Sequence, residues 1–351
     1  MKRHSTIISL ILILLFESCY KSEKYENVSL FSFKDFKEII KLNATTIEFD
    51  VPIMLPLLFV KSDSLLIVQN IKTNNMLYVY NIFSKKKVGE FISWGSGPNE
   101  LLRIKNMQLI GSDLYISDSQ KRAIYKYDVN DFYKLADELI PIQKVIIDDH
   151  FYNLAYTDNG YVALSINSDN KRLVFYNSKG EKVFTAGEYP HFGRKLTVIE
   201  QMEGFQSSIV ISRNYKRIYL FGMDTDLIEI YDFKGNLIKR IQGPDRLFPQ
   251  VKEVRLKNGM TAVSALRKTI FAYFSPIIID DEIYVSYSGN YQKIDEEVPV
   301  IHHIFVFDMD GNPIRRYELP KSIVSFTIDA IAKNIYATCN DPEYHLILLS
   351  P

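Results

Sequence analysis

Residues 217–241 read RIYLFGMDTDLIEIYDFKGNLIKRI and contain three short apolar segments separated by polar turns. Their β-branched and aromatic side chains are typical of β-strands. The turn Phe233-Lys234-Gly235 between the second and third segments has the composition of a tight hairpin. A further apolar run, SIVISR at 208–213, precedes them. The stretch therefore predicts an antiparallel meander of four strands, labelled A to D in chain order.

The central two strands of this meander recur along the chain at a spacing of roughly 50 residues, a period typical of propeller blades. Strand B recurs as SLLIV (64–68), DLYIS (113–117), GYVAL (160–164), RIYLF (217–221), EIYVS (282–286) and NIYAT (334–338). Strand C follows each copy as LYVYN (77–81), IYKYD (124–128), LVFYN (173–177), IEIYD (228–232), IFVFD (304–308) and LILLS (346–350). Six copies of two consecutive strands indicate six blades.

The sixth blade lacks its outermost strand, because Pro351 follows strand C directly. Residues 45–50, TTIEFD, alternate polar and apolar side chains and belong to no blade. Pairing the two segments closes the ring and removes open strand edges, as an all-β protein requires. We therefore predict an all-β fold over residues 45–351: a six-bladed β-propeller of four-stranded antiparallel blades, its ring closed by an N-terminal strand.

Residues 19–44 precede the repeats and are predicted to form a tether. Apolar side chains follow Ser32 near helical spacing, and serine is a good helix cap. We therefore expect a short helix over Ser32–Leu42, between the tether and the ring.

The first 18 residues have the character of an export signal. Two basic residues precede the apolar run Ile7–Phe16, which is too short to span a bilayer. The following Ser18-Cys19 resembles the lipobox of bacterial lipoproteins, in which the cysteine is acylated and becomes the first mature residue, although Glu17 departs from the usual pattern. The resemblance implies a lipoprotein signal peptide over residues 1–18 and lipidation of Cys19. Hydropathy alone fits a plain secretory signal equally well.

The composition is that of a folded protein with no polyanion-binding surface. Of 351 residues, 47% are hydrophobic and 24% charged, which excludes disorder and a multi-span membrane protein. Lys plus Arg number 42 and Asp plus Glu number 42, so nothing predicts nucleic acid as a partner. With Cys19 acylated, Cys339 has no partner for an intrachain disulfide, and we interpret it as a small buried hydrophobe.

The most unusual string is WGSGPNE, Trp94–Glu100, which places the single tryptophan beside two glycines and a proline in a tight turn. It resembles the G-x-G-P-x-E-F string of six-bladed, TolB-like or NHL-like propeller lipoproteins of the Bacteroides group, with Leu101 in place of Phe. The resemblance covers nearly the whole mature chain. It implies the propeller fold and an anchor in the outer membrane, on either its periplasmic or its surface face, but no catalytic residues. Trp94 and Glu100 are candidate binding residues, although the string also fits a loop that only shapes a crossover between blades.

Loop lengths distinguish the two faces of the predicted ring. The A–B and C–D turns lie on one face, here called the short-turn face. The B–C loops and D-to-A crossovers lie on the other, the long-loop face, and its longest segments are 92–105, 140–151, 187–207, 242–272 and 286–302. Because binding residues concentrate on long loops held by a rigid scaffold, we predict the site on the long-loop face, at the mouth of the central channel.

A polar side chain ends strand B or opens the B–C loop in every predicted blade: Gln69, Asp118, Asn167, Asp224, Asn290 and Asn340. Oxygen ligands in a ring suit a hard cation, so Ca²⁺ is a candidate cofactor at the channel mouth. Turn chemistry, in which Asp and Asn hydrogen-bond to nearby backbone, explains the same residues without a ligand.

Two classes of function fit this sequence. No P-loop, H-E-x-x-H, C-x-x-C or G-x-S-x-G string occurs, which favours a non-catalytic module that docks an envelope protein or glycan through the long-loop face. The alternative is a hydrolase with its site in the channel, either Ca²⁺-assisted and lactonase-like or glycan-cleaving with two facing carboxylates.

Overall fold

The computed structural model describes residues 24–53, 56–62, 64–71, 74–134, 139–166, 169–265, 270–291 and 300–351. The expected signal peptide and Cys19 lie outside these residues. The chain forms a large unit, Asn27–Tyr189 with Leu196–Pro351, and a small unit, Met1–Glu26 with Pro190–Lys195. Within the small unit, the Glu26 N–H donates to the His191 carbonyl at 3.0 Å. The rings of Tyr25 and Phe192 lie 5.4 Å apart.

Three strands near the N-terminus of the large unit each pair with a strand from the C-terminal half of the chain rather than with one another. They are β1 (Ser29–Leu30), β2 (Glu38–Lys41) and β3 (Asn43–Ile47). We call residues 29–47 the N-terminal strap.

The first three blades are antiparallel sheets whose four strands pair in chain order. Blade 1 comprises β4 (Pro56–Ser62), β5 (Leu65–Asn70), β6 (Asn75–Asn81) and β7 (Lys86–Ser93). Blade 2 comprises β8 (Ile104–Ile110), β9 (Asp113–Asp118), β10 (Ala123–Asp128) and β11 (Gln143–Ile146), with a 3₁₀ segment, Val129–Lys134, before β11. Blade 3 comprises β12 (Phe151–Thr157), β13 (Gly160–Ser165), β14 (Leu173–Asn177) and β15 (Lys182–Ala186).

Blades 4 and 5 follow the same plan and each gains a strap strand as a fifth, whereas in blade 6 the strap strand is the fourth. Blade 4 comprises β16 (Ser207–Ser212), β17 (Arg217–Gly222), β18 (Leu227–Asp232) and β19 (Leu237–Gln242). After a hairpin of β20 (Val251–Arg255) and β21 (Thr261–Ala265), blade 5 comprises β22 (Ile270–Ile279), β23 (Glu282–Tyr291), β24 (Ile301–Asp308) and β25 (Pro313–Ile323). Blade 6 comprises β26 (Ser325–Ile328), β27 (Ile335–Cys339), β28 (His345–Ser350) and β3. The six-bladed all-β propeller is thereby confirmed.

The closing strand is confirmed as well. Strand β3 pairs antiparallel with β28, with Thr46 opposite Ile347. It spans 43–47 rather than the predicted 45–50, because the chain turns toward blade 1 at Asp50, whose Oδ1 accepts the Lys87 N–H at 2.8 Å. The first and last elements of the ring therefore belong to one sheet.

The strap differs from the prediction, which was a tether that contains a short helix. Only Phe33–Asp35 is helical, as one 3₁₀ turn, and Ser32 caps it as expected, with its Oγ accepting the Lys34 N–H at 3.3 Å. The chain then extends as β2 and pairs in parallel with β25, while β1 pairs in parallel with β19. Tertiary pairing with an open sheet edge outweighs the weak helical spacing of the apolar residues.

Aromatic side chains of the strap fill the space between blades 4 and 5. Phe31 and Phe36 are buried, and the Phe31 ring centroid lies 5.4 Å from that of Phe307. The Phe36 and Phe305 centroids are 4.7 Å apart. The two phenylalanines thereby join the cores of blades 4 and 5.

Two further expectations from the sequence concern Cys339 and membrane-spanning segments. Cys339 is buried in the core of blade 6, and burial raises its thiol pKa to about 11, as the interpretation of a small hydrophobe requires. Among the described residues, no helix has the length and apolar character needed to cross a bilayer.

Two of the long segments on the long-loop face contain regular structure where the sequence pattern predicts loop. Helix α1, Val198–Gly204, lies in the crossover from blade 3 to blade 4. Thr197 and Glu200 form its capping box, and Glu200 Oε1 also accepts the Glu253 N–H of the β20–β21 hairpin at 2.9 Å. These contacts fix α1 beside the entrance to the channel.

Candidate functional site

A cavity of about 1520 Å³ occupies the centre of the large unit. Its walls come mainly from the first strand of each blade, so it is the central channel of the ring. It extends from the long-loop face to the A–B turns of the short-turn face. Residues that contribute to it include Lys61, Lys105, Tyr152, Gln206, Ser208, Met223 and Asp329.

Five polar side chains line the long-loop end of this cavity or lie next to residues that line it; we call them the mouth cluster. Three belong to the first strand of a blade or to the residue directly before that strand, where the chain enters the blade from a crossover. The other two come from α1 and from the loop after β17. The five residues are Lys105, Tyr152, Glu203, Gln206 and Asp224.

Glu203 is the centre of the mouth cluster. The Tyr152 hydroxyl donates to Glu203 Oε1, and Gln206 Nε2 donates to Glu203 Oε2 at 2.7 Å. Both donors line the cavity, so the Glu203 carboxylate lies at its edge. The position of Gln206 is fixed in turn by its backbone carbonyl, which accepts the Met223 N–H at 2.9 Å.

Asp224, the second acid of the mouth cluster, has a strongly raised pKa. Burial, together with the nearby negative charge of Glu203, raises the pKa of Asp224 from 3.8 to about 7. Among the described residues, none donates a hydrogen bond to its carboxyl. Burial and the neighbouring Arg103 lower the pKa of Lys105, which also senses Glu203. The mouth cluster thus combines a hydrogen-bonded carboxylate, a carboxyl that titrates near neutral pH and an ammonium group.

Of the mouth cluster, the repeat pattern in the sequence predicts Asp224 alone. Glu203 was missed because the crossover was treated as loop. The T-x-x-E string at Thr197–Glu200 is a capping-box signature and was the available signal for α1. Tyr152 and Lys105 carry no sequence signal, because first strands vary most from blade to blade.

Asp118 has a structural role. It is fully buried, and its Oδ2 accepts the Leu102 N–H at 2.6 Å while its Oδ1 accepts the N–H groups of Gln120 and Lys121. Both carboxylate oxygens are therefore engaged by backbone N–H groups, and the turn-chemistry explanation accounts for this residue.

The Trp94–Glu100 string forms the crossover from blade 1 to blade 2. Glu100 Oε2 accepts the Gly97 N–H at 2.7 Å, and Lys121 Nζ donates to the carbonyls of Gly97 and Glu100 at 2.7 and 2.6 Å. Gly95 has φ +157°, and a Cβ there would lie 2.0 Å from Glu100 Oε2. Glu100 therefore shapes the turn, whereas Trp94 remains 39% exposed and available for contact.

The other predicted mouth residues that the structure describes differ in their burial. Asn290 and Asn340 are exposed, Gln69 is buried, and Asn167 lies outside the described residues. Within the described ranges, no group of three His, Cys, Asp or Glu side chains is placed to hold a metal ion.

Asp226, two residues after Asp224, was not predicted and clamps another crossover. Its carboxylate accepts the N–H groups of Asp245 and Leu247, both at 2.9 Å. Burial raises its pKa to about 6 in spite of these bonds. Gly243 packs so closely that a Cβ would lie 2.9 Å from the Asp226 Cβ. Asp226 therefore holds the Gln242–Asp245 turn in place.

Comparison with known proteins agrees with this architecture. A family model described as TolB-like 6-blade propeller-like matches residues 35–330. A solved structure of a Bacteroides vulgatus member of the DUF4221 family superposes with a TM-score of 0.56 at 10% identity, covering 94% of this chain and 98% of that one. A Bacteroides fragilis protein named as an exported protein gives 0.54 at 12% identity, covering 89% and 98%. Comparison with curated proteins finds no match.

Proposed function

The chain belongs to the TolB-like six-bladed propeller family, and from that premise we propose that it is a lipid-anchored, non-catalytic binding module of the cell envelope. Its ligand, part of an envelope protein or glycan, enters the central cavity from the long-loop face. The observation that carries this proposal is the cavity of about 1520 Å³ that opens beside the mouth cluster.

The size and lining of the cavity support a binding role. Pockets for small molecules occupy about 300–1,000 Å³, so this volume accommodates an extended segment. Hydroxyl, amide and charged groups at the mouth supply the few placed polar contacts that give specificity. Trp94, on the same face, adds an exposed aromatic surface suited to a sugar ring or an apolar side chain.

A direct test measures ligand capture by the mature protein against glycan and peptide libraries. Ser208→Trp places an indole in the cavity, and Val183→Trp adds the same side chain at an exposed outer-strand position. We expect the first variant to lose ligands that the second retains. Equal capture by both variants would place the binding surface outside the cavity.

Envelope location rests on the export-like N-terminus and the lipobox-like Ser18-Cys19. An acyl chain contributes about 0.8 kcal/mol per buried CH₂, and stable anchoring needs more than one chain, as a lipoprotein cysteine carries. Cys19→Ala should move the protein from the outer-membrane fraction to the soluble fraction and abolish labelling by radioactive palmitate. Unchanged fractionation of the variant would contradict the lipid anchor.

One observation favours the hydrolase alternative in its glycan-cleaving form. Asp224, with a pKa of about 7, is suited to a general acid, and Glu203 is a second carboxylate beside it. This function predicts release of reducing ends from an envelope glycan and its loss in Asp224→Asn. Tight binding of an intact glycan without turnover would exclude it.

A further inference from the structure

We propose that the β20–β21 hairpin is a membrane contact, which inserts its tip into a bilayer that carries anionic phospholipids. This inference is independent of the cavity and of the ligand assigned to it. It concerns how the long-loop face meets the membrane that the proposed lipid anchor would bring within reach.

The hairpin forms a two-stranded sheet of its own on the long-loop face. Its strands, Val251–Arg255 and Thr261–Ala265, are joined by five residue pairs. Seven consecutive residues around the turn, 255–261, are exposed. At about 3.3 Å per residue, β20 carries this turn about 13 Å from Val251. The hairpin therefore ends in a protruding tip.

Two apolar side chains occupy this tip. Leu256 is 44% exposed and Met260 is 62% exposed. The Leu256 N–H donates to the Met260 carbonyl at 2.8 Å, and Asn258 Oδ1 accepts the Met260 N–H at 3.0 Å. These bonds hold the two residues on opposite sides of one turn, so the apolar pair is presented without first ordering a loop.

Positive charges surround the apolar pair. Lys252, Arg255 and Lys257 are exposed, and none of them forms an ion pair with an acid that the structure describes. Glu253 is the one acid in the sequence 251–265, so three positive charges stand against one negative charge. A basic collar around an apolar tip is complementary to an anionic membrane surface.

The most exposed apolar side chain on the short-turn face shows the contrast. Ile331 is 87% exposed, but Lys333, two residues later, forms an ion pair with Asp280. The charge beside Ile331 is therefore neutralised within the protein. At the hairpin tip, the charge beside Leu256 and Met260 is left for a partner to neutralise.

The shape of the hairpin favours a bilayer over an acidic protein as that partner. A specific protein interface covers about 800 Å² on each side, whereas insertion requires only an apolar tip and nearby charges. Glu200 Oε1 accepts the Glu253 N–H at 2.9 Å, and a Cβ on Gly204 would lie 2.7 Å from Pro249 Cβ. These contacts fix the hairpin base on α1, so insertion of the tip orients the long-loop face toward the bilayer.

The test measures co-sedimentation of the mature chain with vesicles. Residues 20–351 are made without an acyl group, so that the lipid anchor contributes nothing. The vesicles contain phosphatidylethanolamine either alone or mixed with phosphatidylglycerol. We expect binding to the anionic vesicles to be about tenfold tighter or more, and to weaken as the salt concentration is raised.

Substitutions in the hairpin separate its two contributions. Leu256→Ser combined with Met260→Ser should weaken binding to the anionic vesicles about tenfold or more, because both apolar side chains are lost from the tip. Replacing Lys252, Arg255 and Lys257 together by glutamine should weaken it at least as much, because the attraction to the lipid headgroups is lost.

Matched substitutions on the short-turn face provide the controls. Ile331→Ser removes a more exposed apolar side chain and Lys216→Gln removes an exposed cation, and both should leave vesicle binding unchanged. Leu256→Trp adds a reporter. Compared with the parent chain, its fluorescence should shift to shorter wavelength on anionic vesicles, because the indole enters an apolar environment. Thermal melting checks the folding of each variant.

Equal binding to both kinds of vesicle, or no binding to either, overturns the proposal. Vesicle binding that survives the double tip substitution does so as well. If a polyglutamate peptide binds through the three cations while the vesicles do not, the hairpin is instead a contact for an acidic protein. Ligand capture by the cavity and acylation of Cys19 are measured separately, so their failure is distinguishable from the failure of this proposal.

Discussion

Asp224 and Asp226 are two residues apart in the loop after β17, and burial raises the pKa of both, yet their surroundings differ. Asp226 accepts two backbone N–H groups, whereas Asp224 accepts none from the described residues. An acid whose pKa is raised by folding binds more protons when folded, so its ionisation destabilises the folded state as pH rises. For Asp224 this loss extends from its ordinary value of 3.8 through about 7.

We therefore expect Asp224→Asn to stabilise the protein at pH 8 and to have little effect near pH 4. One pKa unit corresponds to about 1.4 kcal/mol, so the shift sets a ceiling of about 4 kcal/mol, and partial exposure of the side chain reduces the expected gain to about 1–2 kcal/mol. Denaturant unfolding at the two pH values measures it. A loss of stability at pH 8 would show that the Asp224 carboxylate is favourably bonded.

Asp226→Asn is the matched substitution and should have the opposite sign at neutral pH. An amide keeps one acceptor oxygen but presents N–H groups to one of the two backbone donors. Leaving that buried donor unsatisfied costs about 1–3 kcal/mol. The same unfolding measurement at pH 7 checks it, and equal stabilisation by both substitutions would contradict the assigned clamp.

Glu229 provides a third residue-scale prediction. Burial alone would raise its pKa, but the Arg172 and Arg240 guanidinium groups lower it overall. Glu229→Gln leaves two dehydrated cations without their counter-charge, and we expect a loss of about 3–5 kcal/mol in unfolding free energy. Denaturant titration measures the change, with Glu48→Gln as a surface control. A change below 1 kcal/mol would mean that water solvates the Arg172 and Arg240 guanidinium groups well enough to replace their interaction with Glu229.

At the scale of elements, the strap is the part of the fold whose sequence pattern was misleading. Its apolar residues suggested a helix, whereas Phe33 and Phe36 pack into the core between blades 4 and 5 and the backbone extends along an open sheet edge. Strands B and C were predictable because each copy carries its own alternation and turn. The position of Glu203 was not, since it depends on a short helix whose packing involves a hairpin about fifty residues later in the chain.

Phe31→Ala tests the strap as a packing element. The Phe31 side chain is 3% exposed and contacts the rings of Phe36 and Phe307. Truncating a buried phenylalanine costs about 3–5 kcal/mol. Leu30→Ala, at a neighbouring position that is 52% exposed, should change stability by no more than about 0.5 kcal/mol. Comparable melting temperatures for the two variants would show that the strap contributes little to the core.

At the scale of the whole molecule, ring closure depends on β3 rather than on the rest of the strap. A chain that begins at Leu42 keeps the fourth strand of blade 6, whereas one that begins at Glu48 leaves the edge of β28 unpaired. We expect the longer chain to unfold cooperatively at a lowered temperature and the shorter one to aggregate. Calorimetry with size-exclusion chromatography distinguishes them, and a monomeric, cooperative shorter chain would contradict closure by β3.

The order in which the strap meets the blades gives the molecule a mechanical polarity. A pull on the N-terminal side of the large unit loads β1 first, then β2 and last β3, because these strands lie in series along blades 4, 5 and 6. The first contact has two residue pairs, the second four and the third five. When a pairing breaks, the strap residues that it held become extended chain. The ring stays closed until the third pairing breaks. We therefore expect the strap to extend in steps under tension while the ring around the cavity stays closed.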